Sequence, residues 1–348
     1  MSGPIPVRRT GQSGPNLLRR TGTAAGSRSV FFGFVSLFAL TLQNTALVLL
    51  MKHSLNTGRR HYSAAAAVTA SEMLKLAFSA LVALRTEGRK PLVHAFAQLQ
   101  TQTHMALPSV LYLLQNNLLF QAVNKLPVSV YIVCAQTKTL TSAFFSYVLL
   151  GTLLDSRQMF SLVLLTFAMV LVQTPASTDS SEIRTGGTSD TAIGILAVLV
   201  ASLTSGFAGV YLEKIYKSDS NGCSALLKNM QLACFSVPLS LLATIVTRDE
   251  MMHREGIFTG FDATVASVCF LQAAGGIIVA SVMRHASTIL KCFAISISIC
   301  LCSAVSFVQG GESLTWYKSC GIAMVNFATV YYSTGGKNLI STVGRLPP

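Results

Sequence analysis

Ten stretches of mainly apolar residues run through this chain of 348. Each has about the 20 residues that an α-helix needs to cross a bilayer's hydrocarbon core. They cover 30–51, 63–84, 106–123, 128–150, 158–174, 191–213, 226–246, 262–283, 287–309 and 315–334. Lipid offers no partner to unpaired backbone groups, so runs of this kind fold as helices. Only 11% of the residues are charged, against about 25% in soluble domains. The expected class is an all-α polytopic membrane protein. In that setting the net charge of +13 reads as orientation and contact with anionic lipid, not nucleic-acid binding.

The connectors organise the chain. Residues 1–29 hold Arg8, Arg9, Arg19, Arg20 and Arg28 and no acid. They have no apolar core of a signal peptide, and Gly11, Gly14, Pro15 and Gly22 argue against an amphipathic transit helix. A disordered cytosolic tail is expected. The stretch PASTDSSEIRTGGTSD (175–190) is a flexible linker that bisects the chain into halves, 30–174 and 191–334, of five helices each. A second tail follows at 335–348. Lys and Arg outside the helices are more numerous on the side of the N-terminal tail, which places both termini in the cytosol and the 175–190 linker in the lumen.

Catalytic and metal motifs are missing. There is no Walker loop, H-E-x-x-H, D-D-x-x-D or G-x-S-x-G, and the six histidines lie in or beside connectors. The eight cysteines have no C-x-x-C or Cys/His ligand spacing, so they read as small buried hydrophobes. No cofactor is implied.

Apart from Lys228 and Lys318, which stand within the first four residues of their stretches, three cations fall inside helices: Lys75, Lys138 and Lys291. A lysine at mid-helix costs about 2.5–3.5 kcal/mol to insert, so each calls for a role. Lys75 follows Glu72 by three residues, on the same helix face. The pair either neutralises itself in the bundle or serves as a gate. Lys138 lies in VSVYIVCAQTKTLTSAFFSYVLL (128–150) with no acid on its own helix. Its face carries Tyr131, Cys134, Ala135, Thr141, Ser142 and Phe145, which reads as a cavity wall. About ten residues, or 15 Å of helix, separate it from either end, beyond a lysine's snorkelling reach. Lys291 occupies the fourth helix of the second half as Lys138 does of the first. Transporters are often built from inverted repeats with substrate bound between them, so the two lysines are expected to converge on one phosphorylated anion.

Other polar groups suit a nucleotide or helix–helix hydrogen bonding. The third helix carries Tyr112, Gln115, Asn116 and Asn117. The sixth contains SGFAGVYLEK (205–214), where Ser205 and Gly209 form a small-xxx-small pair that permits close backbone approach.

Together, LQNTALVLLMKHS (42–54), SEMLKLAFS (71–79), LPSVLYLLQNN (107–117), VYIVCAQTKTLTSAFFS (130–146), SGFAGVYLEKIYK (205–217), KNMQL (228–232) and LQAAGGIIVASVMRHASTILKCFAISISI (271–299) resemble the Golgi and endoplasmic-reticulum nucleotide-sugar transporters. The resemblance is nearest the branch carrying UDP-galactose, UDP-N-acetylglucosamine or CMP-sialic acid. It implies the drug/metabolite transporter fold: ten transmembrane helices as two inverted five-helix repeats. It also implies exchange of a cytosolic nucleotide sugar for a lumenal nucleoside monophosphate across the Golgi membrane, with the endoplasmic reticulum as the other location.

By that resemblance Lys138 and Lys291 meet the phosphates. Tyr112, Gln115, Asn116, Tyr131, Tyr211, Ser205, Gly206 and Gly209 line the substrate cavity, and Glu72 with Lys75 forms a gating or helix-pairing couple. LQN (42–44) and LQAAGG (271–276) favour UDP-sugars, with UMP as the counter-substrate. CMP-sialic acid/CMP exchange is the alternative within transport, and an enzyme acting on lipid-linked sugar is the alternative outside it. Ala135, Cys292, Ser287 and Thr288 depart from the family's pattern beside the pocket. The sequence leaves a homodimer open.

Overall fold

The computed structural model describes residues 16–56, 62–97, 103–174, 188–218, 224–246, 256, 260–309 and 315–335. Among these every regular element is helical. The helices are α1 (Asn16–Asn56), α2 (Ala64–Thr86), α3 (Arg89–Ala97), α4 (Ala106–Lys125), α5 (Val128–Leu150) and α6 (Ser156–Gln173). They continue with α7 (Thr188–Lys217), α8 (Ala225–Val246), α9 (Ala263–His285), α10 (Thr288–Val308) and α11 (Trp316–Gly335).

Local chemistry sets several boundaries. Ser63 caps α2 by accepting from the Ala66 N–H at 3.4 Å. Asp155 and Gln158 form a capping box at the start of α6, which satisfies otherwise orphaned N–H donors. Gly151 ends α5 in the left-handed region at φ 65°, which glycine adopts without a Cβ penalty.

Seven helices are long and apolar enough to cross a membrane: α1, α2, α6, α7, α8, α9 and α10. The protein is therefore a multi-pass membrane protein. Ten spans are expected from the sequence. The other three, α4, α5 and α11, have 20, 23 and 20 residues but are less apolar. Gln115, Asn116 and Asn117 dilute α4, Gln136 and Lys138 dilute α5, and Lys318 and Asn326 dilute α11.

Two further features differ from expectation. α1 begins at Asn16, inside the segment 1–29 read as a disordered tail. Pro15 is the nearest residue that cannot continue a helix backwards, and one glycine within a helix, such as Gly22, costs only about 1 kcal/mol. The segment 85–105, which lies between the second and third apolar stretches, contains α3, whose Ala95 is buried against α8 with Leu227 and Met230. The linker at 175–190 falls outside the described residues up to 187, and α7 starts at Thr188.

The packing places α7 against α4 and α5, and also against α9 and α10. α1 packs along α9 and α10, α2 along α8 and α9, and α6 along α11. Side-chain hydrogen bonds cross these seams. Asn44 Nδ2 and Thr45 Oγ1 of α1 each donate to Ser298 Oγ of α10 at 3.0 Å. Away from the seams, Phe31, Phe34 and Phe38 of α1 and Phe160, Val163 and Phe167 of α6 point outward, as a lipid-facing surface requires.

Candidate functional site

The site is built around four residues of α7, Gly206 to Gly209. An ideal β-carbon on Gly206 would lie 2.4 Å from Thr141 Oγ1 and 2.9 Å from the Ser142 backbone nitrogen. Only glycine lets α5 come this close. Thr141 Oγ1 donates to Ser202 O at 2.9 Å, and Ser202 Oγ donates to Cys134 O at 3.5 Å, so the two helices are stitched together one turn before the glycine. One turn back along α5 stands Lys138, whose carbonyl accepts from Thr141 Oγ1 and Ser142 Oγ at 3.0 and 2.8 Å.

Gly209 faces α10 instead. A β-carbon there would lie 3.1 Å from Thr288 Cγ2 and 3.8 Å from Lys291 Nζ. Thr288 Oγ1 donates to Gly209 O at 3.1 Å. One short stretch of α7 therefore receives both lysine-bearing helices. Among the described residues neither Lys138 nor Lys291 belongs to an ion pair.

Much of the face that carries Lys138 packs on α7. Tyr131, Cys134 and Ala135 pack with Ala197 and Val198 of α7. Phe145 meets Phe207 edge-on, with ring centroids 5.3 Å apart. The small and aromatic residues form the α5–α7 seam, while the Lys138 side chain itself is exposed.

The remaining predicted residues divide. Tyr211 is half-buried and stacks on Phe207 at 5.7 Å and 15°, and Ser205 is half-buried at the same level of α7. Tyr112 packs into a cluster of Leu212, Tyr216, Leu232, Ala280 and Met283, and so joins α4 to α7, α8 and α9. Gln115 buries a side-chain oxygen that accepts no hydrogen bond, whereas Asn116 is exposed. Lys75 Nζ lies 2.5 Å from Glu72 Oε2, with Lys75 nearly buried. Its alkyl chain crosses α9 at Gly276, where a β-carbon would stand 2.5 Å from Lys75 Cδ. The neighbouring Gly275 makes the same room for Gln43 of α1, whose Nε2 donates to Leu271 O at 3.0 Å. The Gly-Gly of LQAAGG is thus the crossing point of α1 and α2 over α9.

Sequence reading missed a second polar layer. Glu213 of α7 is 1% exposed; it accepts from the Thr288 N–H and from Lys217 Nζ, both at 2.6 Å. Asn229 donates to Ser79 Oγ at 2.9 Å and accepts from the Tyr216 hydroxyl at 3.3 Å. Lys228, in the first turn of α8, is buried and donates to Ile215 O and Ser218 O, so it caps the end of α7. The available signals were an acid inside an apolar run and the KNMQL block. Ser287 and Thr288, two of the departures from the family pattern, both hold the start of α10. Ser287 Oγ accepts from the Leu290 N–H at 3.2 Å.

Fold and site together define a multi-pass membrane protein in which two lysine-bearing helices pack on one central helix. Comparison with known proteins specifies the family. A model of the nucleotide-sugar transporter family matches residues 28–333. The UDP-N-acetylglucosamine/UDP-N-acetylgalactosamine transporter nstp-4 of Caenorhabditis elegans is 38% identical over 315 residues, covering 86% of this chain and 92% of that protein. The UDP-N-acetylglucosamine transporter of Rattus norvegicus is 36% identical over 283 residues, covering 79% and 86%. The UDP-galactose translocator of Mus musculus is 33% identical over 308 residues, covering 86% and 78%. A solved crystal structure superposes with a TM-score of 0.64 over 90% of this chain and 99% of its own, at 13% identity, which shows a shared fold. The chain belongs to the nucleotide-sugar transporter family, a family of transporters and not of enzymes.

Proposed function

We propose that this protein is a Golgi antiporter. It exchanges a cytosolic UDP-sugar, UDP-N-acetylglucosamine or UDP-galactose, for lumenal UMP by alternating access. The observation that carries the reading is that α5 and α10, the helices that bear Lys138 and Lys291, both pack on residues 206–209 of α7, while among the described residues neither lysine is in an ion pair. A permanent acid would compete with a substrate phosphate. Two cations facing a diphosphate approach neutrality, which makes desolvation tolerable. Empty, the lysines repel, and the cost of closing without cargo ties each direction of travel to a bound nucleotide. A ligand biases the two states only through differential affinity.

Two inverted five-helix repeats are part of this reading. The first comprises α1, α2, α4, α5 and α6, and the second α7 to α11. Exchanging each helix for its counterpart turns the packing of α1 on α9 and α10 into that of α7 on α4 and α5. It turns α2 on α9 into α8 on α4, and maps α2–α8 and α6–α11 onto themselves. The charge bias places both termini in the cytosol. The UDP base follows from the names of the relatives.

Binding of UMP, CMP and GMP to purified protein, followed by exchange in UMP-loaded proteoliposomes, tests the proposal. Stabilisation by UMP and uptake of UDP-N-acetylglucosamine or UDP-galactose are expected. Response to CMP alone, with CMP-sialic acid uptake, would replace the UDP assignment.

A further inference from the structure

Glu213 is a buried acid that the phosphate site does not use. Its two oxygens serve different helices. Oε2 accepts from the Thr288 N–H at 2.6 Å, and Oε1 accepts from Lys217 Nζ at 2.6 Å. Thr288 opens α10, so the carboxylate sits at a helix N-terminus, where negative charge is favoured. The Thr288 hydroxyl binds Gly209 O one turn back along α7. The first turn of α10 is thereby fixed to α7 at two levels, and Lys291 is the residue that this turn carries.

The clasp lies at the ends of α7 and α10 that Lys214, Lys217 and Arg284 assign to the cytosol. Its position coincides with one asymmetry of the packing. α7 touches both α9 and α10. Among the described residues α1, the counterpart of α7, makes no comparable contact with α4, the counterpart of α9. Inversion of the repeats puts the first set of contacts on the cytosolic side and the second on the lumenal side.

We propose that Glu213 is a positioning residue of the transport cycle. By holding the first turn of α10 on α7 it latches the cytosolic side, and the structure represents the state closed to the cytosol and parted toward the lumen. This rests on the alternating-access reading above. Opening to the cytosol separates α7 from α10 and breaks the Glu213–Thr288 bond, so the strength of this bond sets the balance between the two states.

The test is labelling of Cys292, which neighbours Lys291, in full-length protein whose other cysteines are replaced by alanine. An impermeant maleimide is applied from the cytosolic face of sealed vesicles. Glu213→Ala is expected to raise the labelling rate about tenfold, since hydrogen bonds to charged groups are the strong ones. Glu213→Gln, whose amide oxygen still accepts from Thr288 but which loses the ion pair with Lys217, is expected to raise it only about threefold, and UMP binding is expected to persist in both. Unchanged labelling in folded, UMP-binding Glu213→Ala overturns the latch. If that variant does not fold, Lys217→Met, which removes only the ion pair, is expected to raise labelling about threefold, and no rise overturns the latch equally. Absence of UMP exchange by the wild type would instead overturn the transporter reading.

Discussion

Lys291 Nζ lies 3.8 Å from the point where a β-carbon on Gly209 would stand. This glycine makes room for the Thr288 methyl, which would stand 3.1 Å away, and brings the cation to ordinary contact distance. Gly206, three residues earlier, makes room for backbone: a β-carbon there would meet Ser142 N at 2.9 Å. A backbone clash cannot relax as a side chain can. Gly206→Ala is expected to destabilise the protein by about 1–3 kcal/mol through overpacking. Gly209→Ala is expected to fold nearly normally and to lose exchange. Thermal unfolding in detergent, paired with exchange assays, separates the two; a stable Gly206→Ala would place the α5–α7 seam elsewhere.

Binding selectivity follows from the lysines. UMP is expected to stabilise the wild type, whereas uridine, which lacks the phosphate, is expected to do so far less. Lys138→Met and Lys291→Met are expected to erase that difference. Neither is expected to lower intrinsic stability, because removing a mid-helix lysine relieves an insertion cost of about 2.5–3.5 kcal/mol. Thermal shift with both ligands measures it.

Much of this was legible in the sequence, for identifiable reasons. The apolar runs announce their helices because bilayer thickness fixes their length. The partnership of Lys75 with Glu72 is legible because it is local to one helix. Other features depend on what packs against what. The periodicity around Lys138 gives a face but not its neighbour, and the neighbour is α7. Glu213 finds Thr288 at a separation of 75 residues, which no local pattern encodes. α3 is too short for a membrane signal and is held by Ala95 and by Gln231 of α8, which donates to Ala95 O at 3.0 Å.

The Glu72–Lys75 pair makes a sharper prediction than either residue alone. Glu72→Gln leaves an uncompensated cation against Gly276 and is expected to cost about 3 kcal/mol. The double variant Glu72→Gln, Lys75→Met is expected to recover most of that. Denaturation of the three proteins reads the difference. Failure of the double variant to recover would show that the charge has another partner.

Ser287 caps α10, its Oγ accepting from the Leu290 N–H at 3.2 Å. Ser287→Ala is expected to cost about 1 kcal/mol, and Ser287→Asp to restore it. Thermal unfolding of both reads the cap directly, and equal stability of all three would remove Ser287 from the hold on α10.

The most direct test of the central claim is uptake of UDP-N-acetylglucosamine and UDP-galactose into UMP-loaded proteoliposomes by wild type, Lys138→Ala and Lys291→Ala. Fold is monitored by thermal unfolding. The account predicts UMP-dependent uptake by the wild type and none above background by either folded variant. Undiminished UMP-driven uptake by either variant would contradict it.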